Sequence, residues 1–180
     1  MTAIDPAIGR LCGFALALIF GASGIMKLRD IEIFEGSLAN YQLAPRWMEK
    51  PLAYLLAIIE CASAAGLLVA STRVVAASML LALLTIFTGA IAINLARGRT
   101  NIDCGCFGPA LRQELSRWLL ARNAILMLVA AVAIVPATDR AMEPLDVVTI
   151  ALGAFTFAIL YASANFAIAN APKIRAMEMT

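Results

Sequence analysis

The sequence predicts an all-α protein, a polytopic membrane helical bundle of about five transmembrane helices arranged as a four-helix core plus one. Two observations carry that prediction. Hydrophobic residues fill 62% of the 180 positions and charged residues only 14%, against roughly half and roughly a quarter in a soluble domain. With a mean hydropathy of +0.88, the chain has too few polar side chains to coat a soluble core. The apolar residues also gather into five stretches, 9–26, 52–70, 74–95, 118–135 and 145–169, each close to the ~20 residues that span a bilayer as a helix. The whole chain, 1–180, is read as a single integral membrane domain.

The first stretch is a retained helix rather than a cleaved leader. Asp5 and Pro6 stand where a basic segment would be, and no small-residue cleavage pattern precedes Lys27. It ends in Gly21, Ala22, Ser23 and Gly24, small residues that let two helices approach closely in lipid. The long connection that follows has order of its own. Asp30 is placed to cap a short helix that puts Ile31, Phe34 and Leu38 on one face and Glu32, Glu35 and Asn40 off it. Pro45 stops the pattern, and Tyr41 and Trp47 suit the membrane interface. The expectation is a short amphipathic interfacial helix, acting as a lid over the bundle or as a partner site.

The second stretch carries Glu60 and Cys61, and the tight turn 71–73 returns the chain as the third. A second long connection, 96–117, leads to the fourth stretch, and the short segment 136–144 to the fifth. With five spans, both long connections and the C-terminus share one side of the membrane, and the tight turns and the N-terminus share the other. No repeat or low-complexity tract interrupts this order.

Charge and composition narrow the chemistry. A net charge of +2 provides no basic field for nucleic acid. There is no histidine, so proton or metal chemistry would have to use carboxylates or thiols. The thiols of interest are Cys104 and Cys106, in the polar, glycine-rich run 97–109. Separated by one residue, they can bond to each other in a small ring, and strained, accessible disulfides are the oxidising ones. Gly105 relieves the crowding of that ring. Phe107, Gly108 and Pro109 lead on toward the fourth helix. If that helix starts near Pro109, its positive end favours thiolate, an effect that Asp103 opposes and Arg99 and Arg112 support. Two other readings stand beside the redox one. A structural staple across so short a loop restrains little chain, and a thiolate metal centre would need ligands that the remaining cysteines, inside helices, do not supply; no metal is expected.

Cys12 and Cys61 lie in apolar runs, where cysteine serves as a small hydrophobe or, alternatively, as a relay pair across the bilayer. Glu60, in mid-helix, is a functional candidate because a carboxyl at that depth is expensive. It is read either as a proton carrier or as a structural partner of Asn94, Asn123, Asn165 or Lys27.

Three features resemble a known family. The run Gly21-Ala22-Ser23-Gly24-Ile25-Met26-Lys27-Leu28, the glutamate Glu60 and the run Asp103-Cys104-Gly105-Cys106-Phe107-Gly108 are similar to the motifs of the methylamine utilisation MauE family, within the wider MauE/DoxX-like membrane proteins. The likeness covers essentially the whole chain. It implies a maturation accessory that exchanges disulfides with a thioredoxin-like periplasmic partner, MauD-like, and serves the methylamine dehydrogenase small subunit, which carries many disulfides and a tryptophan tryptophylquinone. The family is likened to vitamin K epoxide reductase and DsbB, which implies a quinone as electron acceptor, although Cys-x-Cys departs from their Cys-x-x-Cys.

The resemblance also implies a multi-pass protein of the bacterial inner membrane with its cysteine loop facing the periplasm. The cations point the other way. Lys27, Arg29, Arg46, Lys50, Arg97, Arg99, Arg112, Arg117, Lys173 and Arg175 fall on the long-connection side, against Arg10, Arg73 and Arg140 on the other, and cytoplasmic loops are the Lys/Arg-rich ones. The periplasm is nevertheless the expectation, because disulfides persist there. The sequence thus predicts a membrane thiol–disulfide oxidoreductase centred on Cys104 and Cys106. The alternatives are a non-catalytic scaffold that docks the thioredoxin-like partner, and an electron carrier using Cys12 and Cys61.

Overall fold

The computed structural model describes residues 4–105, 113–138 and 140–178, with side chains as far as residue 170. Among them lie six helices: α1 Pro6–Arg29, α2 Ile31–Tyr41, α3 Arg46–Leu67, α4 Arg73–Ala96, α5 Arg117–Ile134 and α6 Pro144–Glu178. All but α2 are long and apolar enough to cross a membrane. The protein is therefore an all-helical, multi-pass membrane bundle, as its hydropathy requires.

Four of these helices close a ring. α1 lies against α3, α3 against α4, α4 against α5, and α5 against α1, while α6 lies along the outside of α1. The share of each apolar stretch that is buried matches this order, 56% for α1 and 11% for α6. α1 is the shared wall and α6 the added helix, facing lipid over most of its surface. The α1–α3 contact uses the small residues foreseen for it. A Cβ on Gly24 would meet Cys61 Sγ at 2.6 Å and the Cys61 nitrogen at 3.2 Å, so only glycine permits that approach.

The two ends of the bundle differ. At the tight-turn end, the Asp5 carboxylate caps α1 by accepting the Ala7 N–H at 2.9 Å, and Pro6 opens the helix without losing a bond. Ile4 exchanges backbone hydrogen bonds with Pro136 and Thr138. Arg73 lies buried along Gly9 and Gly13 and donates to the Val135 carbonyl at 3.4 Å. At the other end, α2 folds back onto α3 and α1.

Several sequence expectations about that end need correction. Asp30 stands at the junction of α1 and α2, but its side chain makes no capping hydrogen bond. The face of α2 read from the sequence does meet the core, with Phe34 buried and Ile31 and Leu38 half-buried against it, but Ser37 and Tyr41 are buried as well. Tyr41 is therefore inside rather than at the interface, whereas Trp47 is 77% exposed. α5 starts at Arg117, not near Pro109, because residues 113–115 are engaged with the other arm of the loop.

Candidate functional site

The second long connection doubles back on itself. The Cys104 N–H donates to the Gln113 carbonyl at 2.8 Å, and the Leu115 N–H donates to the carbonyls of Thr100 and Ile102. Asp103 Oδ1 accepts the Gly105 N–H at 3.3 Å and the Gln113 N–H at 3.2 Å. Its carboxylate thus holds the two arms together. Asn94, at the end of α4, donates to the Tyr41 carbonyl at 3.3 Å and accepts from Arg99 at 3.3 Å. Arg99 thereby ties the loop to the end of α4. Cys106, Phe107, Gly108 and Arg112 lie outside the described residues.

Cys104 is 4% exposed. It belongs to a satellite apolar cluster with Tyr41, Ile91, Ile102, Leu115 and Leu119. Gly105 follows at φ +70°, where a Cβ would stand 2.9 Å from Ser37 Cβ and 3.3 Å from Phe34 Cδ2. Glycine is needed here for its backbone angle and because α2 presses directly on the loop. The lid proposed for α2 thus covers the cysteine loop itself.

Beneath Cys104 sits a residue that the sequence reading passed over. Arg122, in the second turn of α5 and 4% exposed, places Nη2 3.9 Å from Cys104 Sγ. Its other donors reach Asn123 Oδ1 at 3.2 and 3.3 Å, Gln113 Oε1 at 3.2 Å and Asn165 Oδ1 at 3.2 Å. Gln113 Nε2 in turn donates to the Asn165 carbonyl at 3.1 Å, and Asn123 Nδ2 donates to Thr88 Oγ1 at 3.1 Å. A signal was present in the sequence. Arg122-Asn123 is a charged and an amide residue inside an apolar stretch, the same anomaly that singled out Glu60.

Glu60 pairs with Lys27. The ammonium lies 2.5 Å from Oε2, and both side chains are 3% exposed. The Lys27 ammonium also lies over the rings of Phe34 and Phe87, at 5.0 and 5.2 Å from their centroids, within the range of a cation–π contact. Asn94, Asn123 and Asn165, weighed as partners for Glu60, bond elsewhere. A cavity of about 30 Å³ lies among Lys27, Glu60, Phe87, Arg122, Asn123 and Tyr161. It joins the ion pair to the arginine. That volume holds about two waters.

Cys12 and Cys61 are not brought together. Cys61 Sγ lies against Gly24, while Cys12 is on the same helix as Gly24 at the opposite end, ~18 Å away at 1.5 Å per residue. Direct exchange between them has no geometry. Among the described residues no cluster of three or more His, Cys, Asp or Glu could hold a metal ion.

Comparison with known proteins places this arrangement. Residues 5–136 match the family described as methylamine utilisation protein MauE. The chain is 41% identical to a methylamine utilization protein MauE of Paracoccus denitrificans over 71% of this chain and 68% of that protein. Against the MauE of Methylorubrum extorquens it is 40% identical over 70% and 68%, and against that of Paracoccus versutus 39% over 89% and 87%. No solved structure matches.

Proposed function

The chain belongs to the MauE family of methylamine utilisation proteins, and on that premise we propose that it is a membrane thiol–disulfide exchange protein whose reacting pair is Cys104 and Cys106. The observation that carries the proposal is the Arg122 guanidinium 3.9 Å from Cys104 Sγ. A buried cation beside a buried sulfur favours thiolate, the reactive form.

The partner is a thioredoxin-like, MauD-like protein of the periplasm, and the end product is a correctly disulfide-bonded methylamine dehydrogenase small subunit. In this reading the cysteine end faces the periplasm from the inner membrane. α2 and the loop then form the surface on which the partner docks, and α2 must yield for the thiols to be reached. Lys27 and Glu60 hold the bundle wall behind the site, and the adjoining cavity, with room for about two waters, offers a proton path.

A trapping experiment tests the exchange. A thioredoxin-like partner lacking its resolving cysteine should form a mixed disulfide with the chain, and replacing both Cys104 and Cys106 by serine should abolish that adduct and the maturation of the subunit. Normal disulfide content in the subunit made beside the doubly substituted protein refutes the exchange role and favours a scaffold. Labelling by a membrane-impermeant maleimide in intact cells, lost in the same double variant, tests the sidedness. Labelling only after permeabilisation places the loop in the cytoplasm.

A further inference from the structure

One side chain of α2 meets both the cysteine loop and a buried charge. The Phe34 ring edge, at Cδ2, lies 3.3 Å from the point where a Cβ on Gly105 would stand, and Ser37, one turn on, lies beside the same glycine. The Lys27 ammonium, from α1, lies over this ring at 5.0 Å from its centroid. Glu60, from α3, holds the ammonium in an ion pair. Four parts of the chain thus meet in series. The carboxylate on α3 fixes the cation on α1, the cation faces the ring on α2, and the ring rests on the loop that carries Cys104. A lysine ammonium is a compact point charge with three donors, so a carboxylate and an aromatic face can share it. The attraction between cation and ring strengthens where water is excluded, and both Lys27 and Phe34 are buried. The far end of α2 is fastened by a different kind of contact, the Tyr41 carbonyl accepting from Asn94 of α4 at 3.3 Å.

We propose that Lys27 and Phe34 form a latch, in which the cation–ring contact holds α2 closed over the cysteine loop and sets how often Cys104 is uncovered. Both are positioning residues, because they act through the place of α2. Cys104 is buried in a cluster that includes Tyr41 of the same helix, so a reagent reaches its sulfur when α2 lifts. The Phe87 ring, on α4, faces the same ammonium at 5.2 Å. When Phe34 lifts away, the cation therefore keeps its carboxylate and a second ring. Opening costs a ring contact and leaves the ion pair intact, which brings the open state within range of a local fluctuation. The consequence for exchange, that a partner opens the site by drawing Phe34 off the ammonium, rests on the exchange reading above. The latch itself does not.

The test reads alkylation by N-ethylmaleimide in the full chain in lipid nanodiscs, with Cys104 as its only cysteine. Where reclosing outpaces modification, the rate reports how often α2 opens. Phe34→Leu, which keeps an apolar side chain but loses the ring, should quicken alkylation at least about fivefold. Phenylalanine analogues with successively more ring fluorines at position 34 weaken the negative face while nearly keeping the ring's shape, so the rate should climb along the series. The same analogues at position 87 should not quicken it, because Phe87 is not on α2. A second reporter has Cys61, which lies against Gly24, as its only cysteine. Its alkylation should stay at the parent rate in every case, because lifting α2 does not part α1 from α3. A rate that is flat along the series at position 34 overturns the latch, even where Phe34→Leu quickens alkylation through lost packing. Equal quickening at Cys61 overturns it as well, since that reports a loosened bundle. Equal quickening from position 87 overturns the route through α2. If Phe34→Leu does not fold, the fluorinated series decides alone. No partner enters these measurements, so failure of the exchange reading shows separately, in the maturation assay.

Discussion

Removing one member of the Lys27–Glu60 pair should cost far more than removing both. The ammonium and carboxylate are 2.5 Å apart and 3% exposed each. In such surroundings, deleting one partner removes the other's counter-ion, at about 3–5 kcal/mol. Lys27→Met also loses the contacts with the Phe34 and Phe87 rings, worth roughly 1 kcal/mol together. Glu60→Gln leaves the ammonium over those rings with an amide oxygen to receive it, so it should be the milder change by about that amount. The double variant Lys27→Met, Glu60→Met places two apolar chains of similar length in the same space and should lie within about 1–2 kcal/mol of the parent, since apolar replacement of a buried pair is often neutral. With Glu60→Met as the second single variant, the cycle should therefore return a coupling of about 4 kcal/mol or more, above the usual range for contacting residues. Reversible denaturant unfolding in mixed micelles, followed by the fluorescence of Trp47 and Trp118, measures all four proteins. A Lys27→Met protein that loses less than about 1 kcal/mol, or a double variant as unstable as the sum of the singles, would refute the reasoning.

Three other outcomes follow from the same geometry. Gly24→Ala drives a Cβ to 2.6 Å from Cys61 Sγ and should destabilise the α1–α3 contact by about 1–3 kcal/mol; adding Cys61→Ala should recover much of that loss in the same unfolding assay. Gly105→Ala forces a side chain into φ +70° and against Ser37, costing about 1–2 kcal/mol for the backbone alone. Because it also displaces α2, alkylation of Cys104 should quicken, and an unchanged alkylation rate would mean that α2 does not gate the thiol. At the tight-turn end, Arg140 donates to Asp5 at 3.1 Å and holds its carboxyl below the usual carboxylate range. A depressed folded value gives stabilisation that is present above the ordinary carboxylate titration and lost as pH falls through the lowered one. Arg140→Gln should therefore weaken the protein at neutral pH and flatten the acid limb of its stability below about pH 4, read as unfolding midpoints across that range.

Much of the architecture was legible because the bilayer admits few solutions. A segment without water to bond its backbone must be helical, so a long apolar stretch states both its structure and its place. Glu60 and Lys27 stood out singly for the same reason, since charge inside such a stretch is expensive. Their pairing, across 33 positions, depends on how α1 meets α3, which Gly21 and Gly24 indicate only in part. The cysteine loop stood out by composition. Its environment did not, because the bonds from Cys104 to Gln113 and from Leu115 to Thr100 and Ile102 join residues that no periodicity connects. With those bonds in place, α5 begins at Arg117.

The sequence alone determined that five apolar helices cross a membrane and that a Cys-Gly-Cys loop joins two of them, because hydropathy and residue identity are local properties. It could offer charge to the thiols only from neighbours in the chain, Arg99, Arg112 and a helix end. The tertiary structure turned Arg99 to Asn94 and brought Arg122 from the next helix to Cys104 Sγ. It also laid α2 over Gly105. Both results require the bundle to close, because they depend on side chains from α1, α2, α5 and α6 meeting in one buried place, and that meeting is a property of packing.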